Sequence, residues 1–131
     1  MTTDKYARAG EIMRQMLSPE HVAHMESDVP SEHFGGEFAR LAYEHAYVAH
    51  WTRPGLSPRD RSLLTLGILI GLRNERELRS HLAAALKNGL TTDQLEEVIY
   101  HSTAYAGFPA AAAALAVAAQ VVAEERSKSA D

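Results

Sequence analysis

The sequence predicts an all-α fold of about six to seven helices. Apolar residues recur at intervals of three and four along most of the 131-residue chain, which is the spacing of a helix with one buried side. Turn signals divide this pattern into segments of helical length. No stretch alternates apolar and polar residues as a half-buried strand does. We therefore expect one domain over residues 1–131, with a core from 33 to 125 and a frayed tail at 126–131.

The amino-terminal half predicts three helices. Residues 6–17 place apolar side chains at helical spacing. Ser18 followed by Pro19 is a cap with proline in the first turn, so a short helix begins there. A loop is expected at residues 28–31, and a third helix over residues 36–49. The buried stripe of that helix is expected to consist of Phe38, Leu41, Ala42, His45, Val48 and Ala49.

The second half predicts four further helices. They are expected over residues 58–71, 74–87, 92–106 and 109–125. Gly89 and Gly107 supply left-handed stops. Thr91 and Gln94 have the spacing of a capping box, which marks a helix start.

Two of these helices are unusually apolar. The helix over residues 58–71 is apolar nearly all round, so both of its sides should be covered. Gly67 and Gly71 permit close approach of another backbone, which suggests helix–helix or subunit packing. The alanine-rich run at 110–119 is also expected to pack on other helices or on another subunit.

Composition excludes several classes of function. The net charge is −4 and no block of Lys and Arg occurs, so no nucleic-acid partner is expected. Without cysteine there is no thiol catalysis, disulfide or thiolate metal site, which fits a cytoplasmic protein. The amino terminus lacks a signal sequence, and the apolar run at 63–72 is too short for a bilayer. His21 and His24 lack further ligands nearby, so no metal is expected.

A carboxylate and a histidine one helical turn apart are the best candidates for chemistry. Glu77 and His81 are four residues apart, which places them on one helical face within mutual reach. A histidine oriented by a carboxylate can transfer a proton near neutral pH. A surface ion pair is the alternative, and spacing alone favours it. His101 and Tyr105 have the same spacing, but a packed tyrosine is the simpler explanation there.

Arginines cluster near the ends of two successive helices. They are Arg53, Arg59, Arg61, Arg73, Arg76 and Arg79. A guanidinium binds a carboxylate through two parallel hydrogen bonds, so this cluster suggests an anionic organic substrate. For any single arginine, solvation or pairing with Asp60, Glu75 or Glu77 is the simpler alternative.

Several motifs resemble those of the carboxymuconolactone decarboxylase family in order and spacing. They are Trp51-Thr52-Arg53-Pro54-Gly55-Leu56, Arg61-Ser62-Leu63, Glu77-Leu78-Arg79-x-His81, Asn88-Gly89-Leu90-Thr91 and Tyr105-Ala106-Gly107-x-Pro109-Ala110-Ala111. The resemblance implies an all-α, cofactor-free protein of the alkylhydroperoxidase D-like fold. It also implies a homo-oligomer, usually a hexamer built as a trimer of dimers.

The same resemblance implies an active site near His81. This histidine would be the general acid, and Glu77 would orient it. The substrate-binding residues implied or suggested beside it are Arg53, Arg61, Trp51, Tyr47 and, as a weaker candidate, His50.

The chain departs from relatives at two places. Peroxidase-like relatives carry Cys-x-x-Cys ahead of this histidine, where this chain has Asn74 and Glu77, and Ser62 stands in place of their relay acid. Thiol peroxidase activity is therefore not expected. Family decarboxylases usually have a phenylalanine-glycine-acid run before the tryptophan, but here the run is Tyr47-Val48-Ala49-His50.

The implied reaction is decarboxylation of 4-carboxymuconolactone to 3-oxoadipate enol-lactone in the protocatechuate branch of the β-ketoadipate pathway. Loss of CO2 leaves negative charge that must delocalise into the lactone carbonyl, so the site must bind a dianion and protonate a dienolate. The alternative is a paralogue of altered or no activity that binds a small carboxylic acid or lactone. A purely structural helical protein would explain the packing but not the cluster of His, Glu and Arg.

Overall fold

The computed structural model describes residues 2–27 and 32–130, and every regular element within them is helical. The all-α prediction is therefore confirmed. The predicted loop at 28–31 lies outside the described residues. The chain divides into two compact units, Met1–Pro58 and Arg59–Asp131, which are described separately below.

Residues 2–27 and 32–58 of the first unit form three α-helices and a π-helix. They are α1 (Thr2–Met16), α2 (Pro19–Glu26), α3 (Phe38–Ala42) and the π-helical segment (Tyr43–Trp51), which continues directly from α3. The predicted cap of α2 is confirmed, because Ser18 Oγ accepts a hydrogen bond from the His21 backbone N–H at 3.3 Å. Helix α1 packs against both α2 and the π-helical segment.

The π-helical segment corrects the stripe predicted for this region. Phe38 and Leu41 are 75% and 59% exposed, and His45 and Ala49 are exposed as well. The residues buried in the segment are Tyr43, Tyr47, Val48 and Trp51. A π-helix bonds each carbonyl to the amide five residues on rather than four. Each turn of a π-helix therefore contains more residues than a turn of an α-helix, and side chains four residues apart lie on nearly the same side of it.

Tyr43 is a buried tyrosine of the first unit whose pKa is raised. It is only 5% exposed, and its ring lies 5.9 Å from that of Tyr6. Burial raises the pKa of Tyr43 above its ordinary value of 10.0, and the charges of Glu26 and Tyr6 raise it further. Arg40 and Arg14 oppose this shift, but the pKa stays raised because desolvation is the largest cause.

The second unit is built from α4 (Pro58–Leu72), α5 (Glu75–Lys87), α6 (Thr92–Tyr105) and α7 (Phe108–Ala130). Helix α7 packs against both α5 and α6. Its buried side is lined by small residues, namely Ala110, Ala111, Ala114 and Ala118, with Val121. The predicted packing of the alanine run on other helices is confirmed. Helix α7 is also long and apolar enough to cross a membrane, a test that the core helix of a soluble protein passes too.

Local signals end and begin these helices largely as the sequence predicts. Gly89 and Gly107 adopt left-handed φ angles of 106° and 93°. Thr91 and Gln94 exchange their side-chain and backbone bonds, both at 3.0 Å, so the capping box is confirmed.

Helix α4 ends at a residue that the sequence did not single out. Arg73 has a φ of 57°, although a left-handed backbone costs an L-residue about 1–2 kcal/mol. Its N–H bonds the Ile70 carbonyl at 3.1 Å, and the Asn74 N–H bonds the Leu69 carbonyl at 3.0 Å. These two bonds form a Schellman motif, which normally has glycine at this position.

Residues 126–130, predicted as a frayed tail, are part of α7 in the structure. Helix α7 continues to Ala130 rather than ending near Glu125. Glu125 accepts a salt bridge from Lys128 at 3.2 Å, and its carbonyl accepts the Ser129 hydroxyl at 3.1 Å. No proline or glycine interrupts these residues, so the helix propagates through them.

We expect Tyr43→Phe to flatten the alkaline loss of stability. The raised pKa means that folded Tyr43 holds its proton more tightly than the unfolded chain does. Its contribution to the free energy of unfolding is present below the pKa of tyrosine in the unfolded chain, near 10. That contribution is lost as pH rises through the pKa of Tyr43 in the folded protein. Urea unfolding of both proteins between pH 8 and 11 measures the difference, with Tyr100→Phe as the exposed control. Equal slopes in the wild type and Tyr43→Phe would contradict this role.

Candidate active site

Helix α5 positions the candidate histidine. Asn74 caps this helix, since its Oδ1 accepts the Glu77 backbone N–H at 3.2 Å. Leu78, Leu82 and Ala85 on the inner side of α5 belong to the hydrophobic core. His81 lies at the border of that side, half-buried, with Nδ1 enclosed by the protein. The imidazole is therefore sheltered from bulk water at Nδ1, while the side chain as a whole stays partly accessible.

Glu77 and His81 lie one turn apart on α5. Glu77 is exposed in the first turn of the helix, and His81 is half-buried. The pairing of the two side chains, as a catalytic contact or as a surface ion pair, stays a prediction.

The predicted arginine cluster separates into different environments. Arg79 donates to both carboxylate oxygens of Glu124, at 2.9 and 3.2 Å, and to the side-chain oxygen of Gln120. This fork of hydrogen bonds joins α5 to α7, so the main contact of Arg79 is structural. Arg59 pairs with Asp60 at 3.5 Å. Arg61 is half-buried, and its Nε is enclosed.

A buried polar pair joins α4 to the end of α5. Ser62 is fully buried, and its Oγ accepts a hydrogen bond from Asn88 Nδ2 at 2.9 Å. Ser62, Leu66 and Ile70 form the buried side of α4. The four-residue spacing of Ser62, Leu66 and Ile70 indicates in the sequence that Ser62 is on the buried side of α4. Nothing in the sequence identifies Asn88 as its partner. The bond fixes the end of the helix that carries His81.

Tyr47 and Trp51 form an aromatic pair within the π-helical segment. Their ring centroids are 6.0 Å apart at an interplanar angle of 26°, and both residues are buried. Their role as an apolar wall for the substrate stays a prediction. Thr52 follows them and bonds the Val48 carbonyl at 2.7 Å, and Arg53 is exposed in the turn beyond.

Two histidines of the same segment are in direct contact. Nδ1 of His50 lies 2.6 Å from the carbonyl oxygen of His45. Their rings meet edge to face, with centroids 5.2 Å apart. Both side chains are exposed. Within the described parts of the chain, no group of three or more His, Asp or Glu residues is arranged to hold a metal ion.

A separate groove lies between α4 and α6. It encloses about 470 Å³ and is lined by Arg59, Leu63, Gly67, Leu90, Gln94, Glu97, Val98, His101 and Ser102. His81 and Arg61 are not among these residues. Arg59, Leu63 and Gly67 are four residues apart along one side of α4, whereas Arg61 is two positions away and faces the other side. The groove is therefore distinct from the candidate acid.

The fold and these residues define an all-α protein with a half-buried histidine on α5 and a buried Ser62–Asn88 hydrogen bond between α4 and the end of α5. The model of the carboxymuconolactone decarboxylase family matches residues 36–120, and the chain belongs to that family.

Two curated relatives of this chain are named as decarboxylases. The 4-carboxymuconolactone decarboxylase of Acinetobacter baylyi is 37% identical over 117 residues, covering 89% of this chain and 86% of the relative. The nitrosuccinic acid decarboxylase of Metarhizium robertsii is 33% identical over 113 residues, covering 86% and 77%. An uncharacterised 15.0 kDa protein of Paracoccus denitrificans is 36% identical over 77 residues. At the level of the family, these relatives support a decarboxylase that acts on a small carboxylic acid.

We expect Ser62→Ala to destabilise the protein by about 1–3 kcal/mol, because Asn88 then loses the acceptor of a buried donor. Equilibrium unfolding in urea measures this change. Ser102→Ala is a matched control, since the Ser102 hydroxyl bonds only the Val98 carbonyl of its own helix, at 2.7 Å. Equal free energies of unfolding for the two variants would contradict a stabilising role for the Ser62–Asn88 hydrogen bond.

Proposed function

We propose that the protein decarboxylates 4-carboxymuconolactone to 3-oxoadipate enol-lactone. The observation that supports this most is its 37% identity with a 4-carboxymuconolactone decarboxylase over 89% of the chain. The half-buried His81 supplies a proton donor of the kind that the reaction needs. The corresponding setting is the protocatechuate branch of the β-ketoadipate pathway, in the cytoplasm.

The proposed reaction assigns one role to each group. Arg53 and Arg61 bind the carboxylates and the developing enolate, since guanidinium groups match both in charge and geometry. The bond between the ring carbon and the departing carboxylate breaks, and its electron pair moves into the conjugated lactone carbonyl. His81 then donates a proton to the carbon terminus of the dienolate. Tyr47 and Trp51 form an apolar wall that limits hydration of the leaving carboxylate.

Glu77 has a supporting role in this proposal. It precedes His81 by one turn of α5, so rotation of its flexible side chain brings the carboxylate within reach of the imidazole. Glu77 is exposed, and we propose that its carboxylate orients His81. Its loss should therefore reduce the rate less than the loss of His81 does.

A second candidate is a family member that acts on, or only binds, another small carboxylic acid or lactone. The run from Tyr47 to His50 favours this candidate, since it lacks the acidic residue that family decarboxylases usually place there. The existence of a relative named for nitrosuccinic acid supports it as well.

We expect His81→Gln to lower kcat for 4-carboxymuconolactone by about 10²- to 10⁴-fold, since a proton donor contributes a factor of this size. Ultraviolet absorbance of freshly generated substrate measures turnover. His21→Gln on α2 is the control for loss of an exposed histidine, and Glu77→Gln should fall between the two. Wild-type turnover by His81→Gln would exclude His81 as the acid, while no turnover by the folded wild-type protein would favour the second candidate.

We also propose that copies of the chain associate through the outer side of α4. The sequence predicts that both sides of this helix are covered, but Leu64, Ile68 and Leu72 are 57%, 51% and 70% exposed. A Cβ added at Gly67 or Gly71 would meet nothing within 4 Å. An exposed apolar surface beside two glycines suits close packing against a second helix. A homo-oligomer, as the hexamer predicted from the family resemblance, would bury it.

We expect Ile68→Glu to shift the protein to a smaller assembly, because it places a charge within the apolar side of α4. Sedimentation velocity measures the size of the particle. Leu41→Glu replaces a similarly exposed side chain, 59% accessible, on α3 and serves as the control. If Ile68→Glu sediments as the wild-type protein does, the interface must be sought elsewhere.

A further inference from the structure

His50 has a ring orientation that its own backbone neighbourhood enforces. Its Nδ1 lies 2.6 Å from the carbonyl oxygen of His45. A carbonyl oxygen can only accept a hydrogen bond, so Nδ1 must carry the proton in this contact. In the neutral ring, Nε2 then holds the lone pair. The contact therefore selects one of the two tautomers.

The π-helical register creates this contact. His45 and His50 are five residues apart, and a π-helix brings residues five apart into hydrogen-bonding register. The His45 carbonyl thus lies where the ring of His50 can reach it. The edge-to-face contact of the two rings, with centroids 5.2 Å apart, further limits rotation of the His50 side chain. The result is a histidine with one nitrogen fixed and the other open.

Nε2 is the nitrogen available to a ligand. His50 is exposed, and within residues 2–27 and 32–130 its hydrogen bond to His45 is made through Nδ1 alone. His50 directly precedes Trp51, one of the two residues that the proposed function assigns to the substrate wall. An imidazole whose second nitrogen bonds a backbone carbonyl is held in place whether or not Nε2 is protonated, because Nδ1–H donates in both forms.

We propose that His50 is a substrate-contacting, specificity-determining residue that shares one proton between Nε2 and a carboxyl oxygen of the substrate. This inference rests on the proposed function for the identity of the substrate. With the proton on Nε2, the imidazolium and the carboxylate are both charged, so the hydrogen bond is charge-assisted. Because the ring is already fixed, binding costs no further side-chain conformational entropy at His50. The ligand class is a small organic acid with a carboxyl group that reaches the π-helical segment.

Two chain variants and one control test this role by kinetics. His50→Phe should lower kcat/KM about 10- to 100-fold, mainly through KM, since a hydrogen bond to a charged group is lost. His50→Gln keeps a donor and an acceptor and should lose less. His24→Ala removes an exposed histidine of α2, outside the π-helical segment, and should stay within about twofold of the wild type, since no hydrogen bond to the substrate is lost. An unchanged kcat/KM in His50→Phe would overturn the proposal.

A second measurement does not depend on turnover. Long-range ¹H–¹⁵N correlation spectra of the ligand-free protein should show the proton of neutral His50 on Nδ1, and succinate should shift its Nε2 resonance. A proton on Nε2 instead, or no response to succinate, would overturn the proposal. If the wild type does not consume 4-carboxymuconolactone but Nε2 responds to succinate, the proposed reaction fails and the role of His50 stands.

Discussion

The close approach of α7 to its neighbours is the constraint on which the second unit depends. Alanines at 110, 111, 114 and 118 are all buried, and such small side chains let helix backbones pack at short distance. This packing leaves little freedom for α5 to slide or turn. The Arg79 fork to Glu124 and Gln120 then fixes the rotation of α5 about its axis. The orientation of His81, two residues farther along, follows from that rotation.

The ends of the helices could be predicted from sequence because their causes are local. Ser18, Thr91, Gly89 and Gly107 each act on backbone groups within a few residues, so spacing alone identifies them. Arg73 was not identified, because nothing in its residue type announces a left-handed backbone. There the requirement of the turn, rather than the preference of the residue, decides the conformation.

The candidate site could be predicted only in part. Tyr47 and Trp51 stack within the π-helical segment, a register that no residue pattern revealed in advance. The pairing of Glu77 with His81 is inferred from spacing alone. Spacing gives reach but not direction, and direction depends on which residues of α5 face the core. The partner of Ser62 was beyond sequence reasoning for a similar reason, since Asn88 lies 26 residues away.

The π-helical segment also affects how this chain should be compared with other sequences. A helix with one wide turn contains one residue more than a regular helix of equal length. Side chains toward Trp51, where the segment ends, are therefore out of phase with those before Tyr43, compared with a relative whose helix is regular throughout. Aligning such a relative correctly requires a one-residue gap within 43–51. Without that gap, His50 would be matched to a residue that occupies a different place in space.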